Sequence, residues 1–197
     1  MPCRLSLSLV TFPVAALLML TPLACADGGV DDAGHDDDHD HDDDAGEHDH
    51  DEQQEVTLRF KALLGGADFA CGQDASDVGT TASTVSPKGL MFYISNVKLL
   101  DAEGNAADFE IVDQAPYQGE GVALLDFEDG TGACQNGTAE TNTDVDIVGH
   151  SHNAVTAIRF TVGVPFALNH QDVTNAPAPL NLSTMWWNWN GGYKFLS

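Results

Sequence analysis

Between residues 56 and 197 the chain holds no run of apolar residues with a sustained helical period, and this constrains the fold more than any single motif. Short segments of alternating or β-branched character stand there instead, cut apart by Gly, Asn and Asp. Val56-Thr-Leu-Arg-Phe-Lys-Ala-Leu63 alternates apolar with polar residues, the period of a half-buried strand. Leu90 to Leu100 reads as a more deeply buried strand ended by the turn-forming Asp101-Ala-Glu-Gly-Asn105. Phe109 to Val112 and Val122 to Phe127 are shorter candidates. Ala154 to Val164 is the clearest, β-branched throughout and closed by Pro165. Gly65 to Pro87 and Asp129 to Asn142 read as long loops. Short strands joined by turn-rich loops predict an all-β chain, an antiparallel β-sandwich. The sequence stops at Ser197 inside an apparent strand, so the sandwich is expected to be incomplete at the C-terminus.

Charge divides the chain further. The 197 residues carry 31 acids against 7 bases, a formal net charge of −24. Residues 27–55 hold 15 of the acids and no Lys or Arg, whereas 56–197 carries 16 acids and 6 bases. A polyanion repels nucleic acid and anionic membrane surfaces, and it attracts cations. Ahead of the acidic run, Arg4 precedes an apolar stretch from Leu5 to Leu20, too short for a membrane span and read as an export signal. Leu23-Ala-Cys25 resembles the end of a bacterial lipobox, with Cys25 as the lipidated first residue, although Pro22 departs from its aliphatic position. Ala24-Cys-Ala26 is alternatively an A-x-A cleavage site. The expected organisation is therefore a signal over 1–26, a disordered His/Asp-rich tail over 27–55 and a β domain over 56–197, located in the periplasm or on the outer membrane or cell surface.

Export bears on the cysteines. Cys71 and Cys134 are the two left in the body, and in an oxidising compartment they most simply pair. A thiolate metal site would be expected to show a C-x-x-C spacing, and there is none. The tail, DDAGHDDDHDHDDDAGEHDHDEQQE over 31–55, sets His35, His39, His41, His48 and His50 among carboxylates. With no apolar residue larger than Ala it cannot offset chain entropy by burial. It is either a solvated spacer or a weak, exchangeable site for Cu²⁺, Zn²⁺ or Ni²⁺.

The body has three His. In an extended segment His150-Ser-His152 places both rings on one face, a two-imidazole arm; in a polar loop ahead of a strand the pair is simply solvated. His170, beside Gln171-Asp172, is a ligand or a hydrogen-bonded structural residue. All three tryptophans, Trp186, Trp187 and Trp189, fall within four positions and precede Gly191-Gly-Tyr-Lys-Phe195, which reads as aromatic core packing with a Gly-Gly turn or as a site.

From Leu125-Asp-Phe-Glu-Asp-Gly-Thr-Gly-Ala-Cys134 and Glu140-Thr-Asn, through Phe160-Thr-Val-Gly-Val-Pro-Phe-Ala-Leu-Asn-His170-Gln-Asp and Ala176-Pro-Ala-Pro-Leu-Asn-Leu182, to Met185-Trp-Trp-Asn-Trp-Asn-Gly-Gly-Tyr-Lys-Phe195, the sequence resembles the MbnP-like copper proteins associated with methanobactin operons. These are the four-cysteine half of a "metallo-mystery pair", and the match extends more loosely back to Val56. The resemblance implies an exported β-rich protein that binds copper and is partnered by a dihaem cytochrome c peroxidase-like (MbnH-like) enzyme. That partner converts a tryptophan to kynurenine, near which copper binds. Carried over, the tryptophan is Trp187 or Trp189, which match the family's W-x-W, and His170 matches the motif histidine. Only Cys71 and Cys134 of the four family cysteines are present, and the second pair would fall beyond Ser197.

The leading reading is thus a non-enzymatic copper-binding protein of copper acquisition or handling, with metal candidates His170, His150, His152, Trp187 and Trp189. The alternative is a surface-anchored structural or adhesion β-sandwich on a solvated acidic spacer. There is no Ser-His-Asp spacing, paired-carboxylate motif or phosphate-binding Gly loop to suggest an enzyme. Deleting residues 31–55 is expected to reduce the number of weakly bound Cu²⁺ or Zn²⁺ ions, counted by equilibrium dialysis, and to spare a tight site in the body. Loss of the tight site as well would place it in the tail.

Overall fold

The computed structural model describes residues 3–11, 16–20, 53–134 and 138–197. In chain order its strands are β1 (Cys3–Thr11), β2 (Ala16–Leu20), β3 (Gln54–Arg59), β4 (Leu63–Leu64), β5 (Ala67–Asp68), β6 (Ala75–Val78), β7 (Ser83–Val85), β8 (Met91–Leu100), β9 (Ala106–Ile111), β10 (Gln118–Gly119), β11 (Val122–Asp126), β12 (Asp144–His150), β13 (Ala157–Val162), β14 (Trp186–Asn188) and β15 (Gly192–Tyr193). One turn of 3₁₀ helix, Ser183–Met185, precedes β14. The chain is all-β, as the missing helical period predicts.

β8 organises the sheet, because both of its edges carry partners. On one edge β11 covers residues 91–95 and β9 covers Leu99 and Leu100. On the other, Phe195 and Ser197 bond Tyr93 and Met91, and β13 continues along residues 94–100. The sheet therefore forks beyond β8: β11 leads to β10, while β9 leads to β12 and β3. These ladders are antiparallel. β1 and β2, within the region read as an export signal, form a hairpin whose first strand joins β3 in parallel.

Alternation along β8 and β11 feeds two cores, one on each face. Ile94, Val97, Leu99, Ala123 and Leu125 join Leu58, Phe109, Val145 and Ile147 in the larger core. The sheet curls around it until Phe60, just past β3, meets Phe160 of β13 edge-on with centroids 5.6 Å apart. This curl brings the two layers of the expected sandwich together. Met91, Tyr93, Val122 and Leu124 face the other way and pack with Val164, Leu180, Met185 and Tyr193, so the irregular C-terminal stretch forms a lid over the second face. β11 lies between both cores and is buried at all five positions.

The sequence reading needs correction in three places. The Gly65–Pro87 loop contains one small hairpin, β6–β7, and its start returns as β5 to pair with β4 just ahead of it. The acidic stretch ahead of His150 is strand β12, whose Val145 and Ile147 are buried while Asp144 and Asp146 face outward. His150 therefore ends a strand and does not lie in a polar loop. β13, the clearest strand in sequence, forms as expected over Ala157–Val162; it lies over the outer part of the core, and Val162 is 48% exposed. The Trp-rich segment is not uniformly core. The disulfide forms as expected between Cys71 and Cys134, with Cα atoms 5.5 Å apart. It ties the 65–87 segment to the loop after β11, and at a sequence separation of 63 a closed loop contributes about 4 kcal/mol on the chain-entropy account.

Two acids are buried where β11 ends. Asp126 accepts the backbone N–H of Glu128 at 2.8 Å, and Glu128 fills the space above Gly89, where a side chain would collide with its carboxylate. Burial pushes both carboxyls above their ordinary range, and for Glu128 the charge of Asp126 adds to the effect. A carboxyl whose folded pKa is raised binds more protons folded than unfolded, so its penalty appears as pH rises from the unfolded pKa through the folded one. Glu128→Gln is therefore expected to be more stable than the parent at pH 7, with the difference closing below about pH 4. Denaturant unfolding across that range measures it, and a pH-independent difference would contradict the assignment.

Candidate functional site

The C-terminal hairpin builds the first candidate site. Trp186 opposes Tyr193 and Asn188 opposes Gly192 across β14–β15. The Asn188 side-chain oxygen closes the intervening turn by accepting the N–H groups of Asn190 and Gly191 at 3.0 and 2.7 Å. Alternation then sorts the tryptophans. Trp186 packs half-buried against the second core, while Trp187 and Trp189 turn outward, 67% and 73% exposed. The Trp186 indole N–H is buried with no hydrogen-bond partner among the described residues. Lys194 lies over the Trp187 ring, its Nζ 4.9 Å from the centroid, a cation–π contact.

The 166–172 loop is stitched to this hairpin. Asn169 Oδ1 accepts the Tyr193 N–H at 3.0 Å, and Gly192 (φ +74°) passes so close to Asn169 that a Cβ there would overlap it. His170 Nδ1 lies 2.9 Å from the Trp189 carbonyl oxygen. A carbonyl only accepts, so Nδ1 carries the proton and Nε2 the lone pair, the form in which a histidine ligates metal. His170 is exposed, and Phe166 meets its ring edge-on. Asp172 does not orient the histidine. It accepts bonds from Thr174 and Asn175, and these hold its carboxyl below the usual range. Beneath the hairpin, Tyr193 donates to the Leu180 carbonyl at 2.6 Å and meets Tyr93 edge-on, fixing the hairpin to β8.

The other two histidines lie elsewhere. His150 ends β12 opposite Asp108 of β9, and β9 joins β8 at Leu99 and Leu100. The Trp hairpin instead meets β8 at Tyr93, so roughly 23 Å of strand separates the two places at 3.3 Å per residue. His170, Trp187 and Trp189 are thus brought together, and His150 with His152 forms a separate pair. Among the described residues no group of three or more His, Cys, Asp or Glu side chains is arranged to hold a metal ion. The five tail histidines (His35, His39, His41, His48 and His50) and Cys25 lie outside the described residues. A cleft of about 690 Å³ opens at the fork between Val97, Phe109 and Gly121 and contains none of the predicted site residues.

Asn169, Gly192 and Lys194 are parts of the first site that motif reading did not single out. All three lie within the motif strings that carry the resemblance, but the sequence assigns none of them a role.

A family model described as MbnP matches residues 53–197. Among solved structures, MbnP from Methylosinus trichosporium is similar, with 29% identity and a TM-score of 0.59, over 74% of this chain and 54% of that one. The chain thus spans about half the length of that relative. No curated protein matches.

Gly192→Ala is expected to cost about 1–3 kcal/mol, since it meets both the positive φ and the Asn169 overlap. Faster hydrogen exchange at the Tyr193 amide would accompany that loss. An unchanged melting temperature would show that the loop–hairpin contact is not held there.

Proposed function

We propose, from the premise that this chain belongs to the MbnP family, that it is an exported, non-catalytic copper-handling protein whose Trp187 or Trp189 is converted to kynurenine by a dihaem peroxidase-like partner. The observation that carries the reading is the placement of two outward-facing indoles on the hairpin whose Trp189 carbonyl holds His170, leaving the Nε2 lone pair of that histidine off the carbonyl. An indole offers copper almost no donor. Kynurenine offers an aniline nitrogen and a ketone oxygen, and with imidazole these suit copper. In net terms tryptophan, dioxygen and water give kynurenine and formate. The haem partner drives the oxidation, so this chain is its substrate, and copper is cargo. Export through residues 1–26, a periplasmic or surface location and a possible lipid anchor at Cys25 belong to the same reading.

Exposure also suits a macromolecular oxidant. Electron removal from Trp187 or Trp189 needs no opening of the fold, because neither ring belongs to a core. Peptide mass mapping of residues 181–197, in protein isolated from its native host, tests the proposal. A kynurenine mass shift on Trp187 or Trp189 is expected. Three unmodified tryptophans in a host expressing the haem partner would overturn it.

A further inference from the structure

Trp187 and Trp189 are exposed to nearly the same degree, 67% and 73%, but a charge lies over the face of the first. Lys194 Nζ stands 4.9 Å from the Trp187 centroid, and the hairpin holds it there. The Lys194 N–H donates to the Met185 carbonyl at 2.8 Å, and the neighbouring Tyr193 is anchored through its hydroxyl to Leu180. At Gly191 a Cβ would stand 3.3 Å from the Trp187 Cβ, so the bare turn leaves that side chain its place. Lys194 is half-buried and forms no ion pair among the described residues. Residues 173–197 contain no Asp or Glu, so no acid of the hairpin, or of the stretch leading to it, neutralises the ammonium.

A cation over an indole is attracted while the ring is neutral, because the ring presents a negative face. Removing one electron reverses the sign, since the ring becomes a radical cation facing a second unit charge. At 4.9 Å that repulsion shifts an equilibrium about fourfold even at the dielectric of bulk water, and further at a less polarisable surface. The penalty falls on the radical cation alone. Once the Nε1 proton has left to water the ring is neutral again and the repulsion is gone. The Lys194 charge therefore ties electron loss from Trp187 to loss of that proton. Among the described residues no such cation lies over the Trp189 ring.

We propose that Lys194 is a redox-tuning residue: its charge protects the exposed Trp187 ring from freely diffusing one-electron oxidants, which draw their electron from Trp189 instead. A colliding oxidant reaches both rings alike. A hole on either ring passes to the other, because the two Cα atoms are at most about 7 Å apart. The outcome therefore reports the relative stability of the two radical cations and not access. An oxidant held against the hairpin, as proposed above for the haem partner, stays long enough for the Trp187 proton to leave. The inference stands on the Lys194 contact and not on that functional reading.

The test is oxidation of the full chain, produced without the haem partner, by azidyl radical at low ionic strength, with superoxide generated in the same solution as a trap. Azidyl takes one electron from an indole and becomes azide, and the Nε1 proton goes to water. The neutral indolyl radical then combines with superoxide and a proton to give N-formylkynurenine, a net gain of one dioxygen. Tandem mass spectrometry of the C-terminal peptides assigns the added mass to Trp187 or Trp189. In the parent the Trp189 product is expected to exceed the Trp187 product at least about fourfold. Lys194→Met keeps an apolar stem over the ring and removes the charge, and it should bring the ratio near one, whereas Lys194→Arg retains the bias. Salt at about 1 M, which screens charges beyond about 3 Å, should narrow the bias in the parent with no substitution at all. Equal oxidation of the two rings in the parent, a bias that salt leaves untouched, one that survives Lys194→Met, or one lost in Lys194→Arg would overturn the proposal. Absence of kynurenine in the native host would overturn the functional reading above and leave this result standing, because azidyl replaces the partner.

Discussion

The pairing of β8 along both edges, with apolar side chains on both faces, is the constraint on which the rest of the structure depends. A strand buried on two faces needs a cover on each. The curled sheet supplies one through Leu58, Val145 and Ile147, and the stretch from Val164 to Tyr193 supplies the other. Because one cover is irregular, it is fixed by polar contacts as well as by packing. The hydroxyl of Tyr93 donates to the Pro179 carbonyl and Ser95 donates to Gly163, both buried. Burial holds the Tyr93 hydroxyl well above the usual tyrosine range, so it remains a donor at every physiological pH. At Asn96 (φ +51°) the strand shifts its alternation, so that Val97 and Leu99 rejoin the core that Ile94 faces, and β13 changes register opposite the same place.

The length of β8 also sets the relation between the two imidazole-bearing places. Tyr93 lies under the Trp hairpin, and Leu100 leads into the Asp101 turn that holds Asn153. A rigid, doubly paired strand keeps such places at a fixed separation, so one ion cannot recruit ligands from both. Any metal chemistry at one end is therefore separate from the other, and coupling between them would have to pass through the packed sheet.

What the sequence made legible was whatever rests on local pattern. Alternation located β3, apolar and β-branched runs located β8, β9, β11 and β13, and export chemistry made sense of Cys71 and Cys134. What it concealed depends on tertiary neighbours. Asp144 and Asp146 made β12 look like a loop, yet those acids are the outward half of a strand whose Val145 and Ile147 face the core. Thr57 donates to Asp146 and Arg59 pairs with Asp144 across the ladder from β3, which suits those acids to a strand surface. β13 had the strongest strand pattern, but propensity reports a residue's fit to a pleated surface and not its depth. At the candidate site the motif residues His170, Trp187 and Trp189 were legible, whereas the Asn169 clasp and the ring proton position at His170 required the fold.

The three tryptophans divide the work by parity. Trp186 and Tyr193 face each other on the buried side of the hairpin, where the indole contributes area to the second core while its N–H finds no acceptor among the described residues. A buried donor without an acceptor costs about 1–3 kcal/mol, so Trp186 gains its place through packing and not through its polar atom. Trp187 and Trp189 contribute no such area, and exposed indoles are an unfavourable use of apolar surface unless something engages them. Lys194 engages one face of Trp187, and the Trp189 carbonyl, not its ring, holds His170. The backbone of the W-x-W segment therefore carries the structural role, and its side chains are left available for chemistry. Altering either outward ring would remove no core contact and would leave the hydrogen bond that orients the His170 imidazole in place.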